Sequence, residues 1–304
     1  MVAKRIAAAF VVLAVLGGAL TVDYLVGLDI LFNVFVIVGT VIVLLEFYGI
    51  CEGGGQTPFR AFGVVASLLL VALHWLSLPG TMEGLGLAGR DRLMGVRAEL
   101  VPLGLLVAVL GTLWLQATKR DNAHAFESIG ATLLGVLYVW FLPSFMVRLR
   151  HLGPGGQLGA EGWGGVGTWL LIACILTSKF SDIGAFFVGT FLGRRKLIPR
   201  ISPKKTWEGV MGGLMASVVT AVIVFRIGLP ELVDVWRSIA FGFFVGGLGQ
   251  FGDLAESLMK RAGGTKDAGS IIPGFGGFLD VVDSLTISAP VAYIIAFFML
   301  GGGS

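Results

Sequence analysis

Charge is scarce in this sequence. Of its 304 residues only 13% are Asp, Glu, Lys or Arg, against 56% hydrophobic, whereas a soluble domain carries about 25% charged residues. Too few polar side chains remain to cover one water-soluble core, and the apolar content excludes intrinsic disorder. Cysteine is equally sparse. Cys51 and Cys174, the 2 present, are far apart and match no metal or redox spacing, so both are read as packing residues. With 3 histidines, His-rich metal chemistry is not available. The net charge of +3 is too small to argue for nucleic acid as a partner, although the basic residues are clustered enough to leave phosphate ligands open. What is present points to a polytopic membrane protein: mean hydropathy is +0.90. The 47 glycines, about twice the ordinary share, suit close helix packing in lipid.

A spanning helix needs about 20 apolar residues. Stretches of that kind fall at 6–22, 29–50, 61–78, 98–117, 125–147, 165–189, 208–228, 236–257 and 282–300. The first follows Lys4 and Arg5 as a signal peptide would, but no clean small-x-small cleavage site follows it, so a retained helix is expected. With the N-terminus in the cytosol, inside segments hold 14 Lys and Arg and outside segments 7, Lys179 lying within a span. That bias favours N-terminus in and C-terminus out. The 79–97 loop, with Arg90, Arg92 and Arg97, runs against it and is read as an amphipathic segment on the membrane surface. The expected fold is thus an all-α polytopic membrane protein of about nine transmembrane helices. Residues 1–165 supply about five of them, for packing and dimer contacts. Residues 166–300 supply the remaining helices with their cytosolic loops, and 301–304 form a flexible tail outside the fold.

The N-terminal half offers little chemistry. Glu46 and Asn33 fall in the second span and Glu127 near the start of the fifth. A carboxylate in lipid is costly and suggests function by default, but a helix–helix hydrogen bond or an interfacial position is the favoured reading for all three. His74 and His151 are expected at the interface and His124 in a loop.

Polar residues gather instead in 178–209 and 250–284, which hold Asp182, Asp253, Glu256, Asp267, Asp280 and Asp283. Asp280 and Asp283 are three apart at the start of the last span and share one helix face. Their mutual repulsion is relieved by a divalent cation, which prefers hard oxygen ligands. Asp253 and Glu256 form a second such pair, with Lys260 and Arg261 one turn on. Carboxylates for Mg²⁺ beside Lys and Arg for phosphate oxygens are what a metal–polyphosphate site needs. For Glu256–Lys260 alone, a salt bridge at a solvated helix end is an equally good reading. Ser202-Pro203-Lys204-Lys205-Thr206 precedes Glu208 and the seventh span. It is read either as an anion site at a helix start or as the span's basic anchor. The turn Pro273-Gly274-Phe275-Gly276-Gly277 allows close backbone approach to a ligand, or is a simple re-entry loop. Gly247, Gly249 and Gly252 fit GxGxxG but lie in an apolar helix without βαβ context, so a dinucleotide fold is rejected.

These segments resemble the phosphatidate cytidylyltransferase family, the CDP-diacylglycerol synthases. Ser257, Lys260, Arg261, Lys266, Asp267, Pro273, Gly276, Gly277, Asp280 and Asp283 follow the family's C-terminal signature in order and spacing, as does Gly252-Asp253 upstream. Asp182, Ala185, Gly189, Gly193 and the run Ser202–Gly209 resemble its other well-marked block. Two positions depart: Phe275 stands where the family has His, and Val281 where it has Arg.

The resemblance implies transfer of CMP from CTP to phosphatidate, giving CDP-diacylglycerol and pyrophosphate. It implies Asp253, Asp280 and Asp283 as metal ligands for Mg²⁺, with a monovalent cation such as K⁺ beside it. Lys260, Arg261, Lys266 and Asp267 become catalytic. Asp182, Ser202, Lys204, Lys205, Thr206 and Ser257 become substrate contacts, Asp182 alternatively a metal ligand or the partner of Lys179. A homodimer among membrane lipids of the inner membrane, with its site facing the cytosol, completes the expectation. Another CTP-dependent lipid enzyme, or an ion-coupled transporter, is the alternative.

Overall fold

A computed structural model describes residues 17, 18, 21, 30–78, 99–119, 122–156, 165–265, 268, 269 and 277–301. Eight helices organise them: α1 (Ile30–Gly53), α2 (Arg60–Ser77), α3 (Leu100–Thr118), α4 (Ala125–Arg150), α5 (Val166–Phe191), α6 (Trp207–Gly228), α7 (Val235–Ala262) and α8 (Leu279–Met299). A π-helical turn, Val136–Phe141, interrupts α4. Among the described residues 7 helices are long and apolar enough to cross a membrane, and the chain is an integral membrane protein built mainly of helix. The expected span 236–257 is part of α7, a helix less apolar than the others because Arg237, Gln250, Asp253 and Glu256 interrupt it. The expected span 6–22 lies almost wholly outside the described residues.

One feature corrects the all-α expectation. Strands β1 (Lys196–Ile198) and β2 (Ser202–Thr206) form an antiparallel pair between α5 and α6, with Lys196 opposite Thr206 and Ile198 opposite Ser202. Pro203 fits because a two-stranded sheet has edges that need no N–H at every position.

The chain divides into two compact units. The first comprises Met1–Ser144 and Ala262–Val281. Its described core sets Tyr48, on α1, against glycines: a Cβ at Gly63 or Gly135 would fall on the Tyr48 ring, and the Tyr48 hydroxyl donates to the Thr132 carbonyl at 3.0 Å. His74 is buried with its ring edge-on to Trp140, while His124 pairs with Glu127 at the exposed start of α4. The second unit comprises Phe145–Arg261 and Val282–Ser304. Phe225 and Phe241 meet edge to face in its core, and His151 is buried within it. In this unit α5 and α6 approach closely through small residues. A Cβ at Gly184 would lie 2.6 Å from that of Ala216, and one at Gly209 would lie 2.9 Å from the Ala185 carbonyl. Lipid offers no hydrophobic drive between helices, so close backbone approach supplies the packing.

Candidate active site

The second unit gathers four elements around one polar centre. Thr206 ends β2 in extended conformation, and its Oγ1 accepts from the Gly209 N–H at 3.1 Å, an N-cap that satisfies one of the orphan donors of α6. Gly189 and Gly193 leave room for that hydroxyl, since a Cβ at Gly189 would stand 3.1 Å from it and one at Gly193 2.7 Å. Glu208 accepts from the amides of Arg194 and Arg195, closing the hairpin onto the helix. The Arg261 Nε donates to the Ile201 carbonyl and ties the end of α7 to the same hairpin. These bonds hold the strand that carries Lys204, which is exposed, and Lys205, which is half-buried.

Three carboxylates then converge. Asp253 and Glu256, from α7, and Asp283, from α8, place one oxygen each within 4.8 Å of the others. Glu256 is 0% exposed and Asp283 8%. Carboxylates that deep require compensating charge. The Lys205 Nζ stands 2.6 Å from Asp253 and the Lys260 Nζ 2.7 Å from Glu256. So Glu256 makes the salt bridge that its spacing allowed, but buried and within the acidic cluster rather than at a solvated end. The fit of α7 against α8 is close here: a Cβ at Gly252 would sit 2.8 Å from the Asp283 carbonyl, and one at Gly249 2.5 Å from the Ser288 hydroxyl.

A second polar group adjoins on α5. The Lys179 Nζ donates to the Ser284 hydroxyl at 3.0 Å, and that hydroxyl donates to Asp182 at 2.9 Å, with Lys179 3.6 Å from Asp182. Gln250 donates to the Ser181 hydroxyl at 3.0 Å and to the Val210 carbonyl at 3.3 Å, cross-linking α7, α5 and α6. Sequence reasoning passed over Ser284 and Gln250. Their signal is an uncharged polar residue inside an apolar span, the same signal that marks Asn33 in the second span.

The structure therefore brings together Asp182, Lys205, Thr206, Asp253, Lys260 and Asp283, and adds Glu256. Ser202 opens β2 opposite Ile198, and Ser257 follows Glu256 on α7. Asp280 is placed differently. Its Oδ2 accepts from the amides of Gly277 at 2.7 Å and Ala268 at 3.1 Å, in the first unit, and it is not one of the clustered acids. Val281 is buried in the first turn of α8. Lys266, Asp267, Pro273, Phe275 and Gly276 lie outside the described residues.

The chain is similar to known proteins along much of its length. The chain is similar to a phosphatidate cytidylyltransferase of Bacillus subtilis, 34% identical over 174 residues, which cover 57% of this chain and 60% of that protein. It is similar to one of Pseudomonas aeruginosa, 35% identical over 232 residues, 70% of this chain and 81% of that protein. A Brucella suis phosphatidate cytidylyltransferase is 30% identical over 272 residues, 85% of this chain and 89% of that protein. The chain thus spans less than two thirds of the Bacillus protein and most of the other two. The Cytidylyltransferase family matches from residue 3 to residue 299, nearly end to end, and this chain belongs to that family.

Proposed function

We propose that the protein transfers CMP from CTP to phosphatidate, releasing pyrophosphate and leaving CDP-diacylglycerol in the membrane. The observation that carries this reading is the cluster of Asp253, Glu256 and Asp283 flanked by Lys205 and Lys260, in a chain of the cytidylyltransferase family. The donor set fits Mg²⁺ in kind, because three carboxylates offer hard oxygens that lie within 4.8 Å of one another. Asp253, Glu256 and Asp283 would hold it. Bound there, Mg²⁺ supplies neutralisation of charge on the CTP phosphates and the departing pyrophosphate. A monovalent cation such as K⁺ beside it belongs to the same proposal.

The remaining work falls to the chain's own groups. Lys204, Lys205, Lys260, Arg261 and Lys266 hold phosphate oxygens of the two substrates, with Asp267 beside Lys266 in the motif loop. Ser202, Thr206 and Ser257 add hydroxyl contacts. Asp182, oriented by Lys179 and Ser284, contacts the nucleotide. Asp280, with its amide partners, holds the start of α8. A phosphate-monoester oxygen of phosphatidate attacks the α-phosphorus of CTP in line, and the bond from that phosphorus to the pyrophosphate oxygen breaks. The attacking oxygen is already anionic at neutral pH. No general base is required, so Phe275 in place of the family's His does not remove a needed proton acceptor. Catalysis rests on positioning and charge neutralisation.

Residues 166–300 form the catalytic part in this reading, and 1–165 supply packing and homodimer contacts. The protein has nine spans, a cytosolic N-terminus and a site on the cytosolic side of the inner membrane, where CTP is available. Two outcomes are expected. Purified protein should release pyrophosphate only when CTP, Mg²⁺ and phosphatidate are all present; release without phosphatidate would count against the reaction. Cysteines introduced at Thr190 and Gly264 should react with a membrane-impermeant thiol reagent from the cytosolic side alone. Labelling from the opposite side would overturn the orientation.

A further inference from the structure

The N-terminal half holds one carboxylate directly against the backbone of the motif segment. Within the first unit α1 and the residue after it meet Phe278, Gly263 and Ala262. Phe35 meets Phe278 edge-on at 6.3 Å between ring centres, and a Cβ at Gly39 would lie 3.3 Å from the Phe278 ring. Toward the other end of α1, a Cβ at Gly53 would lie 2.8 Å from the Gly263 carbonyl and one at Gly54 2.9 Å from that of Ala262. Between these contacts sits Glu46, 6% exposed. Its Oε1 accepts from the Phe278 amide at 3.0 Å and its Oε2 from the Leu279 amide at 2.8 Å. Those N–H groups belong to the start of α8, where a helix leaves its donors unsatisfied and its dipole favours negative charge. The fit around the carboxylate is tight: a Cβ at Gly277 would stand 2.5 Å from Oε2, and one at Gly269 2.8 Å from Oε1.

We propose that Glu46 is a positioning residue for the transferase site. Its carboxylate fixes the first turn of α8, the turn that carries Asp280 and is continuous in the helix with the turn that carries Asp283. The inference rests on the reaction proposed above. Two convergent donors call for two acceptor oxygens on one side chain. Gln offers one and turns an NH₂ donor toward the other amide, and Leu offers none.

The test compares wild type, Glu46→Gln and Glu46→Leu as full chains in phosphatidate-containing nanodiscs, by backbone hydrogen exchange and by steady-state kinetics. Exchange over residues 277–281 should quicken about 10-fold in Glu46→Gln and more in Glu46→Leu, since hydrogen bonds to a charged acceptor are lost. In the same order kcat should fall by about 10-fold or more, with KM for CTP changed by less than about 3-fold and the Mg²⁺ concentration for half-maximal rate raised. Gly269→Ala crowds the carboxylate without removing it and should move the same readouts in the same direction. A carboxylate that only supports the fold would lower Tm and yield, leaving kcat per folded molecule and the Mg²⁺ midpoint at wild-type values; that result overturns the inference. Unchanged exchange in Glu46→Leu overturns it as well. Wild type that forms no CDP-lipid would instead overturn the transfer reaction itself, and the exchange data, which need no turnover, keep the two failures apart.

Discussion

Asp283→Asn is expected to insert and fold normally yet lose Mg²⁺-dependent CDP-lipid formation by roughly 10²-fold or more, the scale of about 3 kcal/mol of transition-state stabilisation. Asn keeps the shape of Asp and one acceptor oxygen, so the amide of Ser284, 2.6 Å from Asp283 Oδ1, retains its partner. What changes is the charge at one corner of the Asp253–Glu256–Asp283 set. A structural ion cluster at an exposed helix end would be worth only about 0–1 kcal/mol, and its loss would leave the metal requirement unaltered. A Mg²⁺ titration of wild type and variant decides between these. Wild-type rate with wild-type metal dependence would remove Asp283 from the metal site.

The second large effect is expected at Lys205. This ammonium group forms an ion pair with Asp253 at 2.6 Å and follows Lys204 on β2, so it is placed to serve both the acidic cluster and the phosphates it is proposed to hold. Lys205→Ala should lower turnover by roughly 10- to 10²-fold, the cost of losing a charge-assisted contact of about 1.5–3 kcal/mol. The same change relieves Asp253 of a competing cation. The apparent affinity for Mg²⁺ should therefore rise while the rate falls, and that opposite movement separates a substrate contact from a membrane anchor. If Lys205 only anchors α6, both rate and Mg²⁺ midpoint in detergent will match wild type.

How far the site can be read from sequence differs residue by residue. Helix positions were legible because a span is a long apolar run, and the starts of α2, α5 and α6 fall within a residue or two of the stretches the sequence marks. The hairpin was not. Lys196–Ile198 and Ser202–Thr206 are too short to show alternation, and Ser-Pro-Lys-Lys-Thr carries no apolar face. Glu256 was ambiguous for a physical reason. Four-residue spacing to Lys260 looks the same on an exposed helix and in a buried cluster, and burial is a tertiary property. Asp280 and Asp283 share a helix face, as their spacing requires, but face sharing does not decide partners. Asp280 lies in the first turn of α8, where free amides compete for a carboxylate, and it accepts from two of them. The partners of Glu46 lie 232 and 233 residues away, and no local pattern announces such a pairing. The departures at Phe275 and Val281 were fully visible, and Val281 is buried where an Arg would need a partner.

In the proposed reaction CMP, and not the terminal phosphate of CTP, ends on the lipid. The direct measurement incubates purified protein in phosphatidate-containing vesicles with Mg²⁺ and CTP labelled with ³²P at either the α or the γ position, then separates the lipids. The α-label should appear in a lipid that co-migrates with CDP-diacylglycerol, the γ-label should leave entirely as pyrophosphate, and both signals should fall by roughly 10²-fold or more in Asp283→Asn. Gamma-label in the lipid fraction would show a kinase, and an unlabelled lipid fraction with both nucleotides would show no transfer; either result would contradict the proposed reaction.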